Sequence, residues 1–124
     1  MTLVLDTNAL MMPVECDVRL FDELDRLRGG QTPLVPRSVE LELEQLADDR
    51  GEPARAARVG LDLLERCERR ETAADYADDA VLELALATGG PAVTNDRPLQ
   101  DRLLDAGIPV IGLREKNKLA LTQP

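Results

Sequence analysis

Short apolar runs alternate along the chain with longer segments whose apolar residues recur at helical spacing. The runs Thr2–Leu5, Thr32–Val35, Ala92–Thr94 and Val110–Gly112 read as strands, with a weaker one near Glu71–Ala73. Helix signals lie between them. Asp17 is placed to cap a helix over Val18–Arg28, stopped by Gly29-Gly30. Pro36 precedes a helix from Arg37 to Ala47, and Pro53 stands at a first helical position for one over Ala54–Arg69. Asp75 is placed to cap Tyr76–Ala87, which Gly89-Gly90 ends, and Pro98 opens a last helix to Ala106 with Gly107 as its cap. Strands alternating with helices predict βα units on a parallel sheet. With no repeat, low-complexity segment or linker, residues 1–124 read as a single α/β domain.

Composition narrows the chemistry. The chain has 124 residues and no His, which removes Ser-His-Asp and Cys-His machinery and leaves carboxylates, hydroxyls, Arg, Lys or a metal. Phe21 and Tyr76 are the only aromatics, which argues against an aromatic stacking platform for single-stranded nucleic acid. Cys16 and Cys67 lack metal-ligand spacing and suggest ordinary thiols in a reducing compartment. Leu3-Val4-Leu5 is too short for a signal segment or a membrane span, so a cytoplasmic protein is expected. The net charge of −9, with Lys only at 116 and 118, suits a halophilic cytoplasm in which salt screens self-repulsion. Excess acid also opposes general binding to nucleic acid at low ionic strength.

In an open parallel sheet, ligands bind beyond the carboxyl ends of the strands. Asp6 and Asp96 fall there, directly after two of the predicted strands. Asp78-Asp79 lie in the first turn of the most apolar helix, Ala80–Leu86, which should aim them at the same edge. Glu40, Glu42 and Glu44 follow on the helix after the second strand. Val39, Leu43 and Leu46 form its apolar stripe, with Glu40 and Glu42 flanking it at similar angles, so helical phase does not choose between them. Hard oxygen ligands of this kind suit metal-assisted phosphodiester hydrolysis, which needs no His base. Clustered carboxylates repel one another unless a cation neutralises them. Taken singly, each acid is equally at home as a turn former, a helix cap or a solvated surface group.

These segments resemble a known family. Leu5-Asp6-Thr7-Asn8 is similar to the opening motif of PIN domains, and Val39–Leu46 resembles their second, where the ligand is the Glu of V-x-x-E-L-x-x-L. Tyr76–Leu82 and Val93–Leu99 resemble the third and fourth motifs. The resemblance implies a three-layer α/β/α sandwich with a five-stranded parallel sheet in order 3-2-1-4-5, and Mg²⁺- or Mn²⁺-dependent endoribonuclease activity. Carried over motif by motif, it makes Asp6, Glu42, Asp79 and Asp96 the catalytic metal ligands, with Asp78 as a further one. It assigns Asn8 and Thr94 to orienting Asp6 and Asp96 by hydrogen bonds. Tyr76-Ala77-Asp78-Asp79 and the tail Ile111–Leu119 look most like archaeal relatives of small-subunit rRNA-processing nucleases. VapC-type toxin ribonucleases share the four acids, and a non-catalytic ribosome-assembly module is a third class.

Two stretches run against the acidic background. Arg50–Arg70, including Arg55 and Arg58, and Arg114–Lys118, with Arg114, Lys116 and Lys118, each carry net positive charge. Both are candidate phosphate contacts, although Arg55 and Arg58 could equally pair with acids on their own helix. The partners to be expected are RNA, an antitoxin or ribosome-assembly factor, and a second copy of the chain in a homodimer, with no membrane.

Overall fold

The computed structural model describes residues 2–29 and 31–124. Its elements follow the chain as β1 (Val4–Leu5), α1 (Thr7–Glu15), α2 (Leu20–Arg28), β2 (Leu34–Pro36), α3 (Arg37–Ala47) and α4 (Glu52–Leu63). A 3₁₀ turn (Leu64–Arg66) leads into β3 (Glu68–Arg70), then α5 (Ala77–Thr88), β4 (Ala92–Val93), α6 (Arg97–Asp105), β5 (Val110–Arg114) and β6 (Lys118–Thr122). The sheet order is β3-β2-β1-β4-β5-β6. The first five strands are parallel, in the order implied by the family resemblance, and β6 is antiparallel to β5.

The central strands consist of residues buried on both faces, as a covered parallel sheet requires. Val4 of β1 pairs with Leu34 on one side and Ala92 on the other. Helices α1, α3 and α4 pack together, α5 packs against β1, β2 and β4, and α6 lies between α5 and β5. One contiguous apolar cluster, including Leu3, Leu5, Leu10, Val35, Leu43, Val81, Val93 and Ile111, fills the space between.

Several local expectations change, among them the cap of α5, which is Tyr76 and not Asp75. Thr7–Glu15 forms a buried helix that the sequence pattern did not suggest, because it is apolar on nearly every side and carries Pro13 in its interior. Asp17 does not cap α2: it adopts φ +53° and the helix begins three residues after it, at Leu20 with Arg19 as N-cap. The third strand lies upstream of Glu71–Ala73, at the exposed and fully charged Glu68–Arg70, which shortens the preceding helix. Charge on an edge strand disfavours pairing with another chain and hides the strand from an apolar count. Last, the basic tail folds back as β6. Helix α3 keeps its expected bounds, entered from the extended backbone of Pro36. Of the stop expected at Gly29-Gly30, Gly29 directly follows α2 and Gly30 lies outside the described residues. Cys16 and Cys67 are free thiols, and burial pushes the Cys67 thiol up to about 11.

The outer edge of β6 is held by side chains. The Leu119 N–H donates to Glu23 Oε1 at 2.8 Å, while Arg26 Nη2 donates to the Leu119 carbonyl at 2.7 Å and to Glu23 Oε1 at 2.9 Å. Arg26 and the Leu119 amide hold the Glu23 carboxyl well below the usual range, at about 2. A carboxyl lowered on folding contributes stability that is complete above its unfolded value of 4.5 and is lost as pH falls towards 2. Urea unfolding at neutral pH should therefore show Glu23→Gln to be less stable than wild type by roughly 1.5–3 kcal/mol. At pH 2 the gap should close; a gap unchanged between the two pH values would show that the Glu23 charge does not hold β6.

Candidate active site

Topology alone brings the acids to one edge. Asp6 immediately follows β1 and Asp96 follows its parallel neighbour β4, so both lie beyond carboxyl ends. Helix α5 precedes β4 and returns across the sheet, which places its first turn, with Asp78 and Asp79, at the same edge. Helix α3 leaves that edge after β2 and carries Glu42.

Asp6 and Asp96 both cap helices. Asp6 Oδ1 accepts from the Ala9 N–H at 2.9 Å at the start of α1, and Asp96 Oδ2 accepts from the Leu99 N–H at 3.0 Å at the start of α6. The fully buried Thr94 lies between them: its hydroxyl pulls the Asp6 carboxyl down and accepts from the Asp96 N–H at 3.0 Å. Asn8 extends the network, with Oδ1 accepting from the Asn95 N–H at 2.9 Å and Nδ2 reaching Thr94 Oγ1 at 3.5 Å. Asn95 Oδ1 then accepts from the Leu113 N–H at 2.8 Å and ties this edge to β5.

Asp6 is only 3% exposed. Burial pushes its carboxyl up to about 7 against the pull of Thr94 and Ala9, and the charges of Asp78 and Asp96 push in the same direction. Asp78 is also raised, by partial desolvation and then by Asp96 and Glu42, with Arg102 opposing. The electrostatic centre of the group is thus Asp78, which acts on Asp6 and feels Asp96 and Glu42. Its neighbour Asp79 is turned to Arg102 of α6, with Oδ1 2.9 Å from Nη2. Asp79, the ligand implied by the resemblance, lines the same cavity as Asp78 and is ion-paired there, whereas, among the described residues, Asp78 is not. Glu42 is exposed and lines a cavity of about 290 Å³ with Tyr76, Ala77, Asp78, Asp79 and Arg102.

The tie between Glu40 and Glu42 is resolved by their neighbours. Glu40 is buried and ion-paired with Arg37 of its own helix and with Arg69 of β3, whose Nε lies 2.7 Å away. Those two guanidiniums hold its carboxyl below the usual range despite desolvation. Glu40 therefore fastens α3 to the edge strand, and Glu42 is left facing the cavity.

The donor set fits a hard divalent cation: carboxylate oxygens, one of them buried and raised by like charges, beside a buried Thr7 hydroxyl without a hydrogen-bond partner. As the side chains stand, no three acidic or cysteine groups among the described residues are gathered closely enough to hold an ion. Binding would need the exposed Glu42 and Asp78 to swing towards Asp6 and Asp96.

Of the basic candidates, Arg114, Lys116 and Lys118 are exposed around the turn of the β5–β6 hairpin, at the carboxyl end of β5 and so on the acids' side of the sheet. Arg114 and Lys118 are direct cross-strand partners, a like-charge pairing that an anion would relieve. Arg55 lies 4.0 Å from Glu52 and Arg58 donates to the Asp49 carbonyl, contacts local to the α3–α4 connection. Sequence reasoning missed Arg102 as part of this edge, and placed Asn95 and Tyr76 in the motifs without giving either a role. For Asn95 a signal existed, its place between Thr94 and Asp96; Arg102 and Tyr76 belong to segments that meet only in the folded chain.

Comparison with known proteins agrees with this geometry. A family model described as a PIN like domain matches residues 3–116. The chain is 36% identical over 119 residues to ribonuclease VapC9 of Archaeoglobus fulgidus, covering 94% of this chain and 85% of that one. It is 29% identical to ribonuclease VapC4 of Methanocaldococcus jannaschii, over 92% of this chain and 91% of the relative. Among solved structures, the PIN domain endonuclease Utp24 superposes with a TM-score of 0.80 at 26% identity, covering 99% of this chain and 92% of its own. The match spans nearly every residue from β1 to the β5–β6 hairpin, and the chain belongs to the PIN-like domain family.

Proposed function

We propose that this protein is a divalent-metal-dependent endoribonuclease that hydrolyses internal phosphodiester bonds of RNA. The observation that carries the reading is the carboxylate edge: Asp6 and Asp96 beside Thr94, with Asp78 and Glu42 on the same edge and near enough to be felt, in a chain without His. Asp6, Asp78, Asp96 and Glu42 would hold Mg²⁺ or Mn²⁺, which when bound activates water and stabilises the leaving oxygen. Asp78 takes the ligand role in place of Asp79, which instead holds Arg102. The caps at Ala9 and Leu99 fix the orientation of Asp6 and Asp96, and Thr94 and Asn8 keep the two strand ends in register. Arg114, Lys116 and Lys118 supply phosphate contacts on the same edge.

Ribosomal RNA or its precursor is the proposed substrate class, on the resemblance of the Tyr76–Asp79 segment and of the tail that forms the β5–β6 hairpin. A second reading, a toxin ribonuclease held by an antitoxin, is favoured by the two relatives named ribonuclease VapC, which match over most of their length. The decisive experiment uses a circular RNA, which offers no ends. The purified chain should open it with Mg²⁺ or Mn²⁺ and stop when EDTA is added. An intact circle under both ions would leave the non-catalytic module as the better reading. RNA crosslinked to the protein in its host should map to ribosomal sequences; growth arrest on expression without a partner gene would favour the toxin.

A further inference from the structure

Tyr76 is the one tyrosine of the chain and is 77% exposed. It is the N-cap residue of α5, with extended backbone (φ −80°, ψ 139°) and no side-chain capping bond, so its ring has no part in starting the helix. Yet it stands at the mouth of the cavity that contains Glu42, Asp78, Asp79 and Arg102. Arg102 is held there by a half-exposed ion pair with Asp79. So exposed a pair is weak, and the guanidinium can turn to a phosphate at little cost. The cavity mouth thus combines an unoccupied aromatic face, an available cation and the carboxylates.

We propose that Tyr76 and Arg102 form a nucleotide subsite beside the carboxylates, in which one base of single-stranded RNA stacks on the Tyr76 ring and the adjoining phosphate meets Arg102. The proposal rests on the ribonuclease reading and adds the group that positions the strand. Composition argues against an extended stacking platform, but one ring suffices for one base. For a chain of net charge −9, stacking has a particular use: its contribution to affinity is not screened by salt, whereas every phosphate contact is. Any unstacked base offers a π-face, so the subsite selects single strands over duplex and tolerates different bases.

With no Trp and a single Tyr, the protein's ultraviolet emission reports on this ring alone. The test titrates the full chain carrying Asp6→Asn, which keeps the substrate intact, with an end-labelled RNA hexamer, reading label anisotropy and Tyr emission together. Binding should quench Tyr76, and a hexamer abasic at the stacked position should bind more weakly and quench less. Tyr76→Ala should weaken binding roughly five- to 150-fold, by a factor that persists at high salt, and Tyr76→Phe should restore it. Arg102→Gln should weaken binding and flatten its salt dependence. If the hexamer binds with unchanged Tyr emission, if Tyr76→Ala binds it as wild type does, or if duplex RNA binds equally well, the subsite is overturned while the ribonuclease reading stands. If the unsubstituted chain neither binds nor opens RNA, that reading fails first. Tyr76→Ala that binds RNA normally but loses a co-purifying protein would assign the ring to a protein interface instead.

Discussion

Asp6→Asn is expected to abolish RNA cleavage, by more than about a hundredfold, without unfolding the protein. Asn matches Asp in shape and keeps an oxygen for the Ala9 N–H, so the cap on α1 survives at small cost. What disappears is a carboxylate that burial and two neighbouring acids hold at about 7. In EDTA the variant should therefore melt at or above the wild-type temperature, because a buried, repelled charge is gone. With Mn²⁺ the order should reverse: the wild type gains stability by mass action and the variant gains much less. The pair of measurements is stronger than either alone, since a variant that merely misfolds would melt lower in both conditions. Cleavage at wild-type rate, or equal stabilisation by Mn²⁺, would remove Asp6 from the proposed ligands.

The second large effect separates two adjacent residues. Asp78→Asn should reduce cleavage by a similar factor to Asp6→Asn, whereas Asp79→Asn should stay within a few-fold of wild type. Asp78 is the acid that acts on Asp6 and feels Asp96 and Glu42, so removing its charge takes away one of the four carboxylates proposed to hold the cation. Asp79 is paired with Arg102, each side chain 46% exposed, and an exposed pair contributes at most about 1 kcal/mol. Both substitutions sit in the first turn of α5 and weaken its dipole complement equally, but Asp79→Asn also loses the ion pair with Arg102 while Asp78→Asn removes a repelled charge, so Asp79→Asn should melt slightly lower. A dead Asp79→Asn beside an active Asp78→Asn would restore the assignment implied by the family motif and would require Arg102 to release Asp79 when the cation binds.

Much of this protein was written in its apolar pattern. Runs such as Leu3-Val4-Leu5 and Pro91-Ala92-Val93 have few alternatives to buried strands, and Pro36 and Gly89 mark where helices begin and end. The family motifs added the strand order and the acids to examine. Pattern failed where its physical premise failed. Helix α1 has no polar face to generate a period; β3 is three charged residues held by pairing with β2; β6 pairs with β5 and is held on its outer edge at Leu119 by Glu23 and Arg26 of a distant helix. The site divides in the same way. That acids lie at the ends of β1 and β4 follows from chain order, a local property. Glu40 differs from Glu42 because Arg69, on a strand nearly thirty residues away in sequence, reaches one and not the other. Likewise Arg102 draws Asp79 aside and leaves Asp78 among the carboxylates. Which carboxylate a guanidinium neutralises depends on distances between separate elements, and those distances are set only when the elements pack.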